Sequence, residues 1–429
     1  MRAALGFGAG MALVAIGFAV ALPASADSDG HFRSDDVFSV ALYGDAPYGC
    51  KAGTTGSPDE CPPNQTLYVP DSPNGPNPGD TRQLDATPTF IDAVNRDHAV
   101  SFVVHVGDIH SGSGFCTLAY NQRVFDLWTA FKRPLVYTPG DNEWTDCQKP
   151  KEGGGVKDSA GDYVDYAAGH PVANLALVRG MFFAQPGTTL GEHKMQVTTQ
   201  AQAYAAPTDA EYVENVRWEK SGVMFVTLNI PGGSNNDDDI WVKGAFGSVF
   251  DTTGNTKSAP QLQEVTQRTA ADLRWLDAAF ALAKTNGDRA VVVMEQADMW
   301  DLDGTALADG HIAKYESFIA KLAQLTKDFG KPVLLINGDS HKYRSDNPLQ
   351  LGSPCVIEKG PTTVDTQPCA DDDYLTHANY PGEWANFHRV VVHGATLPLQ
   401  YTRLTVEPHK TLPTTASSFG PFHWERVIP

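Results

Sequence analysis

Basic residues are scarce in this chain of 429 residues: 32 Lys and Arg stand against 51 Asp and Glu, a formal net charge of −19. Phosphate backbones are repelled by such a surface, so no nucleic-acid-binding face is expected. An anionic small-molecule substrate is not excluded, because a bound cation reverses the local sign. Charged residues reach only 19% while aromatics reach 10%, which rules out global disorder and leaves apolar area for a sizeable core. No C-x2-C pair occurs, so a cysteine-based zinc site lacks its ligand spacing. No G-x-S-x-G nucleophile elbow is present. After the N-terminal stretch, no segment is long and apolar enough to span a bilayer.

The N-terminal stretch has its own grammar. Arg2 is its single charge, an apolar run extends to Leu22, and Ala24-Ser25-Ala26 forms a small-residue cleavage site. This predicts a signal peptide over 1–26, an exported protein, and one domain over 27–429; an uncleaved anchor is the competing reading. The six cysteines fit an oxidising compartment. Proximity along the chain pairs Cys50 with Cys61, Cys116 with Cys147, and Cys355 with Cys369, leaving no free thiol as nucleophile.

Short apolar runs predict buried strands at 37–43, 100–106, 134–138, 223–230, 290–294, 333–336 and 389–393. Helical periodicity covers 118–131, 172–183, 262–283 and 312–329, with Leu262, Val265, Leu273, Leu276 and Phe280 as the apolar stripe of the third and Gly330 ending the last. Alternating strands and helices predict an α/β protein with a largely parallel sheet. Runs 389–393 and 399–405 read as an antiparallel hairpin closing a mixed sheet. Segments 48–84, 148–170 and 186–215 read as long surface loops. The acidic run Asp237–Asp239 lacks calcium-loop spacing and reads as solvated, and Asn64-Gln65-Thr66 is a glycosylation tripeptide.

The chemical signal lies at the strand ends. Four apolar runs each terminate in Gly-Asp, at Asp45, Asp108, Asp141 and Asp339, and a fifth ends at Glu295-Gln296-Ala297-Asp298. In an open α/β sheet the carboxyl ends of the strands line the ligand crevice, so these carboxylates converge. Converging carboxylates repel and raise one another's pKa, a conflict that a cation relieves. With His341 added, the oxygen-rich set suits one or two ions of Mn, Mg, Fe or Ca somewhat better than Zn.

The order Asp45-Ala46-Pro47, Gly107-Asp108, Gly140-Asp141-Asn142-Glu143, Met294-Glu295-Gln296 and Gly338-Asp339-Ser340-His341 resembles the five blocks of the calcineurin-like metallophosphoesterase superfamily, which includes the purple acid phosphatases. The resemblance implies a four-layer sandwich of two mixed β-sheets flanked by helices. It also implies a metal-dependent phosphoester hydrolase that uses a metal-activated water on a small phosphorylated substrate. Asp45, Asp108 and His341 then match ligands of the first metal, Asp108 bridges, and Asp141 and Asp339 serve the second. Glu295 or Gln296 takes the fourth block. Pro47 cannot ligate, and Asn142 stands where the family has a histidine near the leaving group. His110 is the candidate to replace it as proton donor. His105, His388 and His393 read as structural, and Asn229, Asn235 and Trp144 as possible walls of the pocket. The alternative is a non-catalytic exported domain that binds a metal or a phosphorylated ligand on the same fold.

Overall fold

In the computed structural model the described residues are 36–48, 82–112, 114–157, 160–203, 207–237, 240–241, 257–301, 310–350, 352–360, 363–369 and 384–429. The expected signal segment, the Cys50–Cys61 pair, the Asn64 tripeptide and Asp238–Asp239 lie outside them.

The fifteen strands among the described residues form two mixed sheets. The first holds six, β1 (Phe38–Tyr43), β2 (Val100–His105), β3 (Leu135–Tyr137), β13 (Tyr401–Val406), β14 (Ser418–Phe419) and β15 (Phe422–Val427), in the order β14-β15-β13-β1-β2-β3. The second holds nine: β4 (Thr198–Thr199), β5 (Val216–Lys220), β6 (Val223–Thr227), β7 (Ala290–Met294), β8 (Val333–Asn337), β9 (Arg344–Asp346), β10 (Val356–Glu358), β11 (Thr366–Pro368) and β12 (Phe387–Val391). Their order is β11-β10-β9-β12-β8-β7-β6-β5-β4. The central strands β1, β2 and β3 run parallel, as do β6, β7, β8 and β12. They read as unbroken apolar runs because both of their faces are covered.

Three apolar clusters define the layers. One lies between the sheets, where Val40, Leu42, Phe102 and Val104 meet Phe225, Val292, Leu334 and Val390. A second packs α1 (Arg82–Arg96), α2 (Leu118–Trp128) and α3 (Pro171–Phe182) on the first sheet through Phe90, Val94, Trp128 and Phe182. After two single turns, α4 (Gln200–Ala203) and α5 (Gly232–Asn235), helices α6 (Ala259–Asn286) and α7 (His311–Phe329) cover the second sheet through Trp275, Phe280, Phe318 and Leu322. The expected four-layer sandwich of two mixed sheets flanked by helices is therefore the observed fold. Ser258 caps α6 by accepting from the Gln261 N–H, and Gly287 and Gly330 end α6 and α7 in the left-handed region.

Several expectations need correction. Runs 389–393 and 399–405 are not a hairpin: β12 pairs in parallel with β8, while β13 pairs antiparallel with β1 in the other sheet. The chain crosses from one sheet to the other between these strands instead of turning back, and each lies inside its sheet, β12 between β9 and β8 and β13 between β15 and β1. Segment 186–215 is an edge strap, exchanging backbone hydrogen bonds with β3 at Leu190–Leu135 and supplying β4 to β5. Leu262 is exposed, and the early inner face of α6 is taken by Arg268 and Asp272.

One buried ion cluster ties β9 and β12 to the loop after β7. Arg389 forks onto both oxygens of Asp346 (2.9 and 2.7 Å), reaches Asp298, and lies over the Trp300 ring at 5.3 Å. All three charged side chains are fully buried. Arg389→Met strands two buried carboxylates, and the expected loss is about 3–5 kcal/mol. Urea unfolding measures it, and a loss below about 1 kcal/mol contradicts this account.

Candidate metal centre

The strand ends of both sheets meet at one place. Asp45 follows β1 by two residues, Asp108 follows β2 by three, Asp141 follows β3 by four, and Asp339 follows β8 by two. Asp45, Asp108 and Asp141 are buried, and Asp339 is partly buried. Asp45, Asp108, Asp339 and His341 adopt left-handed backbone, with φ of 50°, 61°, 74° and 63°. Asp and His are among the few non-glycine residues that enter that region, at a cost of about 1–3 kcal/mol each. The turn crowds them further: a Cβ on Gly140 would lie 2.0 Å from Asp108 Oδ1, and one on Gly394 would lie 2.6 Å from Asp45 Cβ. Gly394 belongs to the crossing between sheets, where Ala395 N–H donates to the Asp45 carbonyl at 2.8 Å.

Each carboxylate has a distinct set of neighbours. Asp45 accepts from the Asp339 backbone N–H at 3.1 and 3.3 Å, and its Oδ1 lies 3.5 Å from His341 Nε2. Asp108 Oδ2 accepts from the Tyr48 hydroxyl (2.8 Å), Asn142 Nδ2 (2.9 Å) and Gln296 Nε2 (3.1 Å), and its Oδ1 accepts from Asn142 N–H (3.2 Å). Asp141 Oδ1 accepts from Gln296 Nε2 at 2.9 Å. Asp339 Oδ2 accepts from Asp298 N–H at 3.1 Å. Glu143 stands behind them, fully buried. Its Oε1 accepts from the Tyr137 hydroxyl (2.5 Å) and Gly140 N–H (2.7 Å), which fixes the turn under Asp108.

The electrostatics follow from burial. Desolvation pushes the Asp45, Asp108 and Asp339 carboxyls well above the ordinary range, and Asp141 contributes Coulombic repulsion to each. Asp141 is raised as well, again by burial first, with Lys149 opposing. Such a set is stable either protonated or with a cation.

The remaining sequence candidates fall as follows. Gln296 enters the centre, but Glu295 does not. On β7 and its extension, Val291 and Val293 face α6 and α7 while Val292 and Met294 face the other sheet. Glu295 continues the helix-facing row, where burial and Asp272 raise its pKa. Asn142 faces Asp108. His110 is turned away: Nδ1 lies 3.2 Å from the Ser111 carbonyl, Nε2 lies 3.4 Å from Cys116 Sγ, and its ring packs edge-on to Tyr120. It is sealed and held neutral by burial, its pKa lowered to about 4, and does not stand where a leaving-group proton donor is needed. His105 is a core histidine, donating from Nε2 to Ala46 O and accepting Gly107 N–H at Nδ1. His388 meets Ser345 and His393 meets Glu358, both outside the carboxylate group. Trp144 packs under Arg268, and Asn229 and Asn235 are held by Glu214, Thr269 and Arg268.

Cys116–Cys147 and Cys355–Cys369 are disulfides, with Cα separations of 5.6 and 5.3 Å. The first presses on the Asn142 loop, Cys116 Sγ lying 3.3 Å from Asn142 O. The cluster of His110 with Cys116 and Cys147 has the proximity of a metal site, yet both sulfurs are bonded to each other. Sequence reasoning missed Tyr48, whose hydroxyl donates to Asp108 and whose ring meets His341 edge-on at 5.2 Å. Its only sequence signal is its place three residues after Asp45.

The class is thus a two-sheet α/β sandwich with a carboxylate-rich centre at its strand ends. A family model described as calcineurin-like phosphoesterase matches residues 78–193, which carry Asp108, Asp141, Asn142 and Glu143. That stretch holds the second and third of the five blocks, in keeping with the resemblance to the calcineurin-like metallophosphoesterase superfamily. That family acts on phosphorylated substrates and generally uses divalent metal ions, which supports a phosphoesterase-type function. A purple acid phosphatase from yellow lupin (Lupinus luteus) seeds is similar in structure at 12% identity and a TM-score of 0.38. The similarity covers 88% of this chain and 50% of that one, so this chain spans about half of that length. No curated protein matches the chain. Among the described residues, no helix is long and apolar enough to cross a membrane.

A linkage prediction follows. The folded-state carboxyls have pKa values above the unfolded value of about 3.9, so the folded state holds more protons. In chelator, stability is greatest near pH 4 and falls as pH rises through the raised values. A divalent cation should restore it, raising Tm more at pH 7.5 than at pH 4.5. Equal cation effects at both pH values in thermal melts would refute the shared-charge origin.

Proposed function

We propose that this protein is an exported, metal-dependent phosphoester hydrolase. The observation that carries the reading is the convergence of three buried carboxylates and the partly buried Asp339, each with its pKa raised, on the loops that end β1, β2, β3 and β8. The donor set fits a cation. Two ligands about 2.1 Å from one ion stand roughly 3.0–3.5 Å apart, and Asp45 Oδ1 and His341 Nε2 are 3.5 Å apart. Asp45 and His341 would hold it as that pair, with Asp108 the third ligand that the resemblance implies. When bound, the cation supplies charge neutralisation at phosphoryl oxygens and acidification of water.

The chain's own groups set the rest. Asn142 and Tyr48 fix the Asp108 carboxylate in place by direct hydrogen bonds. Lys149, paired with Asp146, offsets part of the Asp141 charge, and Lys151, paired with Glu152, lies exposed beside Gly112. Asn142 donates hydrogen bonds but delivers no proton, and His110 is sealed behind the disulfide. General acid help, commonly worth on the order of 10²–10⁴-fold, is therefore missing. Export rests on the N-terminal segment and agrees with the two disulfides.

The test is elemental analysis of protein purified without chelator, followed by a phosphoester panel with Mn, Mg, Fe, Zn and Ca. Bound metal and turnover are expected in the wild type, and both should be lost in Asp45→Ala. Nitrophenyl esters should react at least 100-fold faster than alkyl esters, a ratio that His110→Ala leaves unchanged. Metal content without turnover on any ester would favour the non-catalytic binding domain.

A further inference from the structure

Gln296 is locked in one orientation. Its Oε1 accepts the backbone N–H of Gly232, which can only donate. Its Nε2 must therefore face the other way, and there both of its hydrogens are taken, by Asp108 Oδ2 at 3.1 Å and Asp141 Oδ1 at 2.9 Å. Turning the amide over would set a donor against the Gly232 N–H and an acceptor against two carboxylates. Gln296 therefore does not offer an oxygen to a cation shared by Asp108 and Asp141.

The Asp108 oxygen that faces Gln296 is committed. Oδ2 accepts from the Tyr48 hydroxyl, the Asn142 side chain and Gln296, whereas Oδ1 accepts only the Asn142 N–H and keeps a lone-pair site. The Gln296 amino group lies between Asp108 and Asp141, where an ion bridging those residues would lie. The opposite side differs. There Asp45 accepts from the Asp339 backbone N–H and lies 3.5 Å from His341 Nε2, at ligand-pair spacing.

We propose that this centre takes one cation, on the Asp45–His341 side, and that the Gln296 amide replaces a second cation between Asp108 and Asp141. The inference rests on the metal-dependent reading above and adds to it a stoichiometry and a role for one residue. Gln296 is a positioning residue: its two N–H groups hold two carboxylates together that would otherwise repel.

Native mass spectrometry and calorimetric titration of the full chain with Mn2+ and with Zn2+ test it. The wild type should bind one ion per chain. Gln296→His, which offers a ring nitrogen, should bind two. Gln296→Glu keeps the side-chain length and removes the amide donors; it should also bind two, and its Tm should rise more with cation than that of the wild type. Asp141→Asn should keep the single ion, and Asp45→Asn should lose it. Two ions on the wild type would overturn the inference while leaving the metal-dependent reading intact. So would one ion on both folded Gln296 variants, or an ion retained by Asp45→Asn and lost by Asp141→Asn. No ion on any of these proteins would overturn the metal-dependent reading and the inference together.

Discussion

Like charge in a confined space is the constraint on which this site depends. Asp45, Asp108, Asp141 and Asp339 arrive from both sheets, the first three buried and Asp339 partly buried. In isolation each would resist ionisation, and together they resist it further. The backbone accepts left-handed conformations at Asp45, Asp108 and Asp339 to bring them in, and glycines at 140 and 394 leave no room for side chains that would push them apart. Strain of this kind persists only where the surroundings over-determine it. Here the surroundings are the parallel strands, whose apolar packing between the sheets fixes where each turn begins.

Behind the carboxylates lies a shell of buried polar groups that carries their positions into the core. Asp298 is a hinge of this shell. Its backbone N–H holds Asp339, its side chain accepts from Ser340, and Arg389 anchors it to β12. Glu143 plays the same part for the Asp108 turn, through Gly140. The Cys116–Cys147 bridge closes a 31-residue separation against the Asn142 carbonyl. In the chain-entropy picture, a loop of that size contributes about 3–4 kcal/mol. The strength of these supports fits a site whose own groups oppose assembly.

Much of this arrangement was legible in the sequence because it rests on local signals. Doubly covered parallel strands write themselves as apolar runs, and the Gly-Asp pairs that follow mark where the turns must be tight. The long-range choices were not legible. Strands β12 and β13 are neighbours in the chain, yet β12 pairs with β8 and β13 with β1, a long-range choice that the local sequence does not carry. Glu295 and Gln296 were left open as alternatives, yet the period-two alternation of β7 distinguishes them: Val291, Val293 and Glu295 share one face, and Val292, Met294 and Gln296 the other. His110 carried the right residue type two positions after Asp108. Nothing local revealed that a disulfide and Tyr120 would enclose it.

The two sides of the centre solve the same charge problem differently. Around Asp108 and Asp141 the protein supplies neutral donors, and amide and phenol hydrogens stabilise the ionised form without net charge. Around Asp45 and Asp339 it supplies mainly backbone N–H groups and one imidazole, so more of the repulsion is left unrelieved. Neutral donors rigidify a carboxylate but neutralise no phosphoryl charge. A cation does both, yet must be retained by ligands that repel in its absence. Dividing the site lets one half stay assembled whether or not an ion is bound, while the other half remains the place where added positive charge has the largest effect. Within the Asp45 half the Asp339 N–H reaches Asp45, and Asp298 pins the turn that carries it to the core.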